Sequence, residues 1–188
     1  MRSLAQLIEE SREDLLKVWM DIVLGNREEQ KLPARPSGAD AVGMGVILDR
    51  LIAGLQRAAQ PMIQDPAFAD LVHYMVDVSA ARAREGYSPS ATARFVMSLK
   101  TASAPVLATE YGGIPERWRA ETTVIDDIMD QLAVLTFEAF VVAREEVITH
   151  QSQAMLEIST PALRIWKDVV MMPLVGVVDT RRAQHIME

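Results

Sequence analysis

The chain has 188 residues, a net charge of −7, 49% hydrophobic and 24% charged residues, which suits one domain plus an appendage. The acidic balance argues against a nucleic-acid partner or an anionic membrane surface. The lack of cysteine excludes disulfides, thiolate catalysis and cysteine-based metal sites, and 11 methionines against 5% aromatics point to an aliphatic, adaptable helical core.

Residues 1–10 contain no apolar signal core. The longest apolar run, 169–178, is about half of the ~20 residues a membrane-spanning helix needs. The expectation is a soluble cytoplasmic protein with no membrane partner.

Leu4, Ile8, Leu15, Trp19 and Ile22 lie on one helical stripe, widened by Leu7, Val18 and Val23, so the spacing predicts a single first helix. Ser3 is placed to cap its start, and Gly25-Asn26 to stop it. Trp19 reads as a core anchor. The charged stretch 26–38 holds Pro33, Pro36 and Gly38 and reads as a loop. A second helix is expected over 40–59, with Val42, Val46, Leu48, Leu51, Ile52 and Leu55 on its apolar face. Gly43 and Gly45 do not follow a strand, and no Lys-Ser/Thr pair stands at phosphate-loop spacing. They read instead as small residues that let another helix come close.

A third helix is expected over 66–85. His73 on it has no second histidine at metal spacing and reads as a surface or hydrogen-bonded side chain. Gly86-Tyr87-Ser88-Pro89 is a sharp boundary: a glycine terminator, a serine cap and a proline at the first position of the next helix. That helix runs over 89–109, with Phe95, Val96, Leu99 and Val106 as its stripe. Pro105 should kink it. The helix contains no histidine, so the proximal ligand that a haem globin needs is missing.

Pro115 opens the longest helix, expected to reach about residue 153. Trp118, Ile125, Ile128, Leu132, Leu135, Ala139 and Val142 recur with heptad-like spacing, which predicts a dimer seam. At 1.5 Å per residue this helix would be about 58 Å long, against the roughly 30 Å width of a small helical domain, so part of it should project. Asp126, Asp127 and Asp130 read as a solvated face, because dispersed helix carboxylates lack a converging loop.

Beyond it, the runs 162–166 and 169–174 have β character, and Lys167-Asp168 lies between them. Asp179 and Thr180 follow at a place suited to a helix start. A hydroxyl there is either a helix cap or a phosphate acceptor.

Ser159-Thr160-Pro161, the run from Met172 to Gly176 and the run from Asp179 to Gln184 resemble, in that order, the opening of a STAS domain. They are most similar to the RsbR-type co-antagonists of bacterial stressosomes. The helical part, above all residues 80–99 and the Trp19 helix, resembles the RsbRD-type N-terminal sensor domain, a relative of non-haem globin modules. The resemblance implies a mainly α, globin-like or helical-bundle sensor domain with a long output helix and a truncated β-β-α STAS start. It divides the chain into a sensor domain over 1–114, a core and output helix over 115–153, and a STAS fragment over 154–188. It further implies phosphorylation of Thr180 by a partner serine/threonine switch kinase, a STAS-only partner protein, a homodimer and no cofactor.

No catalytic constellation is present in the sequence, so the expectation is a signalling scaffold and not an enzyme. A small-molecule or haem sensor and a pure dimerisation module are the alternatives.

Overall fold

The computed structural model describes residues 2–30, 38–158 and 163–171. Among them are six α-helices, one 3-10 turn and a two-stranded ribbon: α1 (Leu4–Glu10), α2 (Arg12–Gln30), α3 (Gly38–Arg57), the 3-10 turn (Pro66–Phe68), α4 (Ala69–Arg84), α5 (Pro89–Tyr111), α6 (Pro115–Ile158), β1 (Leu163–Trp166) and β2 (Val169–Met171). The fold is thus mainly α, as the sequence predicts. The chain divides into two compact units, Met1–Arg144 and Glu145–Glu188.

The first unit starts with a helix that the stripe of apolar residues presents as continuous and that the structure breaks in two. Ser11 ends α1, its backbone N–H reaching the carbonyls of Leu7 and Glu9. Leu4, Leu7 and Ile8 of α1 and Leu15 and Trp19 of α2 all bury in one core with α3 and α5. Ser3 caps α1 in a reciprocal box, its hydroxyl accepting from Gln6 N–H while the Gln6 side chain accepts from Ser3 N–H. Gly25-Asn26 does not stop α2, which runs on to Gln30. A glycine inside a helix costs about 1 kcal/mol relative to alanine, too little by itself to end one whose neighbours favour it.

α3 passes close to its neighbours at its small residues. A Cβ on Gly43 would lie 3.2 Å from the Tyr74 hydroxyl, and one on Gly45 would lie 3.3 Å from the Arg12 guanidinium. The tightest approach is at Gly54, where the fully buried Phe68 ring occupies the space a Cβ would need. Asp65 holds the 3-10 turn that delivers Phe68, its carboxylate accepting from Ala67 N–H at 2.9 Å.

α4 closes on Gly86, whose φ of +86° is left-handed. Gly86 N–H donates to Ala83 O at 3.3 Å and Tyr87 N–H to Arg82 O at 3.0 Å, the paired bonds of a glycine-terminated helix. Ser88 then caps α5 and Pro89 takes its first turn. α5 continues through Pro105 to Tyr111. Thr109 donates its hydroxyl to Pro105 O at 2.8 Å.

The core of this unit centres on Trp19. Its ring stacks on Phe95 at 5.5 Å, and its Nε1–H donates to Ser98 Oγ at 2.8 Å. Leu48, Leu51, Leu71, Met75, Leu99, Leu107, Ile125, Ile128 and Leu132 complete it.

In the second unit the described hairpin is antiparallel, with Leu163 opposite Met171 and Arg164 opposite Val170. Lys167-Asp168 forms the turn. An irregularity between Arg164 and Trp166 leaves Trp166 opposite Val169. Residues 164–171 are all exposed.

Candidate functional site

α6 is the element to which the sequence assigns an interface, and within the first unit it carries two apolar faces. One turns inward. Ile125, Ile128, Met129, Leu132, Thr136, Phe140 and Ala143 are buried, at the three- and four-residue steps of a helix facing a core. This corrects the expected dimer seam in part: Ile125, Ile128 and Leu132 are 2%, 0% and 1% exposed and have no surface to offer a partner. Leu135 and Ala139 are half-buried. Of the other seam residues, Trp118 and Val142 are 43% and 57% exposed.

The second face points away from the core and consists of Val134, Phe137 and Val141, which are 59%, 50% and 38% exposed. A reading that follows one stripe misses it, although the seven-residue step from Val134 to Val141 is visible in the sequence.

Polar contacts fix the rotation of α6. Lys100 of α5 donates to Asp130 at 2.7 Å and lies 3.5 Å from Asp126. Burial pulls the Lys100 ammonium down, but the hydrogen bond to Asp130 and the charges of both aspartates outweigh it, so its pKa stands above the ordinary lysine value. Asp126 and Asp130 are therefore not a merely solvated face; they clasp a lysine of the neighbouring helix. On α4, Ser79 donates its hydroxyl to Thr136 O, and Thr136 Oγ1 donates back to Leu132 O at 2.8 Å.

Between α6, α4 and the loop before the 3-10 turn lies a groove of about 460 Å³. Ile63, Val72, Val134 and Leu135 supply its apolar lining, and Gln64, Gln131 and Asp130 its rim. Gln64 Nε2 donates to Gln131 Oε1 across the rim. The groove could not be read from the sequence, because its walls come from residues far apart along the chain.

A second cluster joins α4 to α5. The buried Arg82 lays its guanidinium 4.1 Å from the Tyr87 ring and 4.8 Å from the Phe95 ring, and its Nε donates to Thr92 Oγ1 at 3.4 Å. Stacking between two rings suits arginine's flat cation and ties the helix boundary down. At the α2–α3 contact Arg12 grips Asp49 with two N–H groups, at 2.5 and 2.9 Å. The hydrogen bond from Arg12 holds the Asp49 carboxyl below its ordinary pKa, against a smaller upward push from burial.

His73 is exposed, with Nδ1 2.8 Å from Ala69 O. Among the described residues no three His, Cys, Asp or Glu side chains stand together as a metal site. No helix among them is long and apolar enough to cross a membrane. Thr180, singled out as the phosphate acceptor, lies outside the described residues, as does the helix start expected there.

Comparison with known proteins extends these observations. A stretch of 64 residues is 33% identical to the RsbT co-antagonist protein RsbRA of Bacillus subtilis (strain 168), covering 34% of this chain and 23% of that relative. No solved structure matches the chain at a significant level. The family model for the RsbT co-antagonist protein rsbRD N-terminal domain matches residues 13–155. That match takes in α2 to α5 and nearly all of α6, and the chain belongs to this family.

Proposed function

We propose that the chain is the signal-input part of a stressosome-type regulator, a non-enzymatic signalling scaffold of the cytoplasm. The observation that carries this reading is the family match over 13–155, which ends where the stretch resembling a STAS domain begins. In this reading α2 to α5 receive a signal and α6 transmits it to a STAS domain opened by the β1–β2 hairpin. Two chains pair along α6, using side chains that the core leaves exposed. The STAS part works with a STAS-only partner protein and a serine/threonine switch kinase, which phosphorylates Thr180.

A phosphate at Thr180 would add about two negative charges beside Arg181 and Arg182, able to pair with it, and Asp179, which repels it. Such a change alters a partner surface without unfolding a domain. The kinase assay decides between this role and a helix cap. Incubation with the serine/threonine kinase of the same source, followed by mass spectrometry, is expected to place phosphate on Thr180. The Thr180→Ala chain should take up none and keep its helical circular-dichroism signal. Equal incorporation into Thr180→Ala would leave Thr180 as a cap only.

A further inference from the structure

We infer that α6 is a lever whose pivot is the crossing of Ser79 and Thr136, and whose N-terminal arm, residues 115–130, is held down on α5 by Lys100 as a releasable catch. This rests on the reading above, in which α6 transmits a signal, and names what lets it move.

The pivot is the place where α6 comes close to another helix. Along most of its length the α6 backbone stays more than 8 Å from that of the other described helices, and side chains fill the space between. The bond from the Ser79 hydroxyl to Thr136 O requires a closer approach. Ala83, one turn beyond Ser79, is buried there with Phe140 and Ala143 of α6. A hydrogen bond in so dry a contact is strong and fixes the crossing point. Thr136 Oγ1 also donates back to Leu132 O, and back-bonding of this kind lets a helix bend.

The arm is held differently. Ile125, Ile128 and Met129 pack it on the core by apolar contact, which has no preferred direction. A shift of about 1–2 Å between packed helices preserves such contacts. The polar tie is Lys100, 2.7 Å from Asp130 and 3.5 Å from Asp126. Both carboxylates stand half in water, so the solvent competes for the ammonium and the tie is weak enough to let go.

The arm also has a reason to leave its seat. Among the described residues, the buried side-chain polar atoms without a hydrogen-bond partner are Arg117 Nε and Thr122 Oγ1, and both belong to this arm. A buried polar group without a partner carries a desolvation cost that contact with water removes. The unsatisfied pair thus favours lifting of the arm, and the Lys100 clasp opposes it.

The cysteine-free chain allows the motion to be read one thiol at a time. Full-length chains carry Thr122→Cys on the arm, Ala143→Cys at the pivot, or Ala102→Cys in α5 as a gauge of global opening; Ala143 and Ala102 are both buried. The measured quantity is the rate at which an aromatic disulfide reagent labels each thiol. Adding Lys100→Met should raise the rate at Thr122→Cys by about three- to tenfold and leave the other two unchanged. Asp126→Asn combined with Asp130→Asn, at two solvated positions, should do the same, and Lys100→Arg, which keeps the clasp, should not.

An unchanged rate at Thr122→Cys would overturn the catch. Equal acceleration at Thr122→Cys and Ala143→Cys, with Ala102→Cys unchanged, would mean that α6 lifts as a whole and would overturn the pivot. Acceleration at all three would be a loss of global stability and would overturn both. No kinase enters this measurement. Absence of phosphate on Thr180 would therefore count against the signalling reading and leave the lever standing, while an unmoved arm beside a phosphorylated Thr180 would do the reverse.

Discussion

Single residues decide how closely these helices approach, and Gly54 decides most. Phe68 is fully buried with its ring in the space that a side chain at 54 would need. Gly54→Ala must move either the ring or α3, and overpacking of this kind costs about 1–3 kcal/mol. A fall of that size in urea stability is expected, with the native fold retained. A different residue-scale effect concerns acid. Folding lowers the Asp49 pKa through Arg12, so the pair contributes stability above the unfolded carboxylate value of about 3.9. That contribution is lost as pH falls through the lower folded value. The Asp49 side chain is 55% exposed, which confines the effect to about 0.5 kcal/mol. Asp49→Asn should therefore be slightly less stable than the unaltered chain near neutrality. The difference should vanish in acid, where the carboxylate is protonated in both states. Urea midpoints at several pH values would show this.

Among the elements, helix starts and stops with local chemistry were the legible part. Ser88-Pro89 and Pro115 each announce a boundary, and the structure has one at each place. The hairpin around Lys167-Asp168 was equally legible from its two β-type runs. The break at Ser11 was not, since no glycine or proline marks it and the apolar spacing continues through it. Nor was the use of α6, because the residues following Ile125 and those following Val134 both recur at helical intervals. Only the side chains of α4 and α5 determine which set turns inward, and that information is not local. Gly25 was misjudged for a related reason: a glycine ends a helix when the chain must turn left-handed there, and α2 does not turn. The two glycines should accordingly respond in opposite directions. Gly86→Ala places a Cβ at φ +86° and should cost about 1–2 kcal/mol. Gly25→Ala, with open space where the Cβ would stand, should gain about 0.5–1 kcal/mol. Thermal melts of the two variants on opposite sides of the parent would bear this out.

For the molecule as a whole, membership of the rsbRD N-terminal domain family was legible from residues 80–99 and the Trp19 helix. The groove was not, since it exists only once distant segments pack. The one-residue joint at Ser11 bears on how the fold is assembled. α1 has seven residues, well below the ~12–15 at which an isolated helix is marginal in water. It stands through its capping box, through Leu4, Ala5, Leu7 and Ile8 buried against its neighbours, and through Arg2. Arg2 pairs with Glu10 and Glu110, and its carbonyl accepts from the Tyr111 hydroxyl at 3.2 Å. α3 supplies most of the surface that α1 packs on, and the far end of α5, about a hundred residues later, supplies the Glu110 and Tyr111 contacts. A helix this short is expected to form only once the surfaces it packs on are in place. Pulsed deuterium labelling during refolding should find the amides of α1 protected after those of α5, and simultaneous protection would show that α1 forms without its seat.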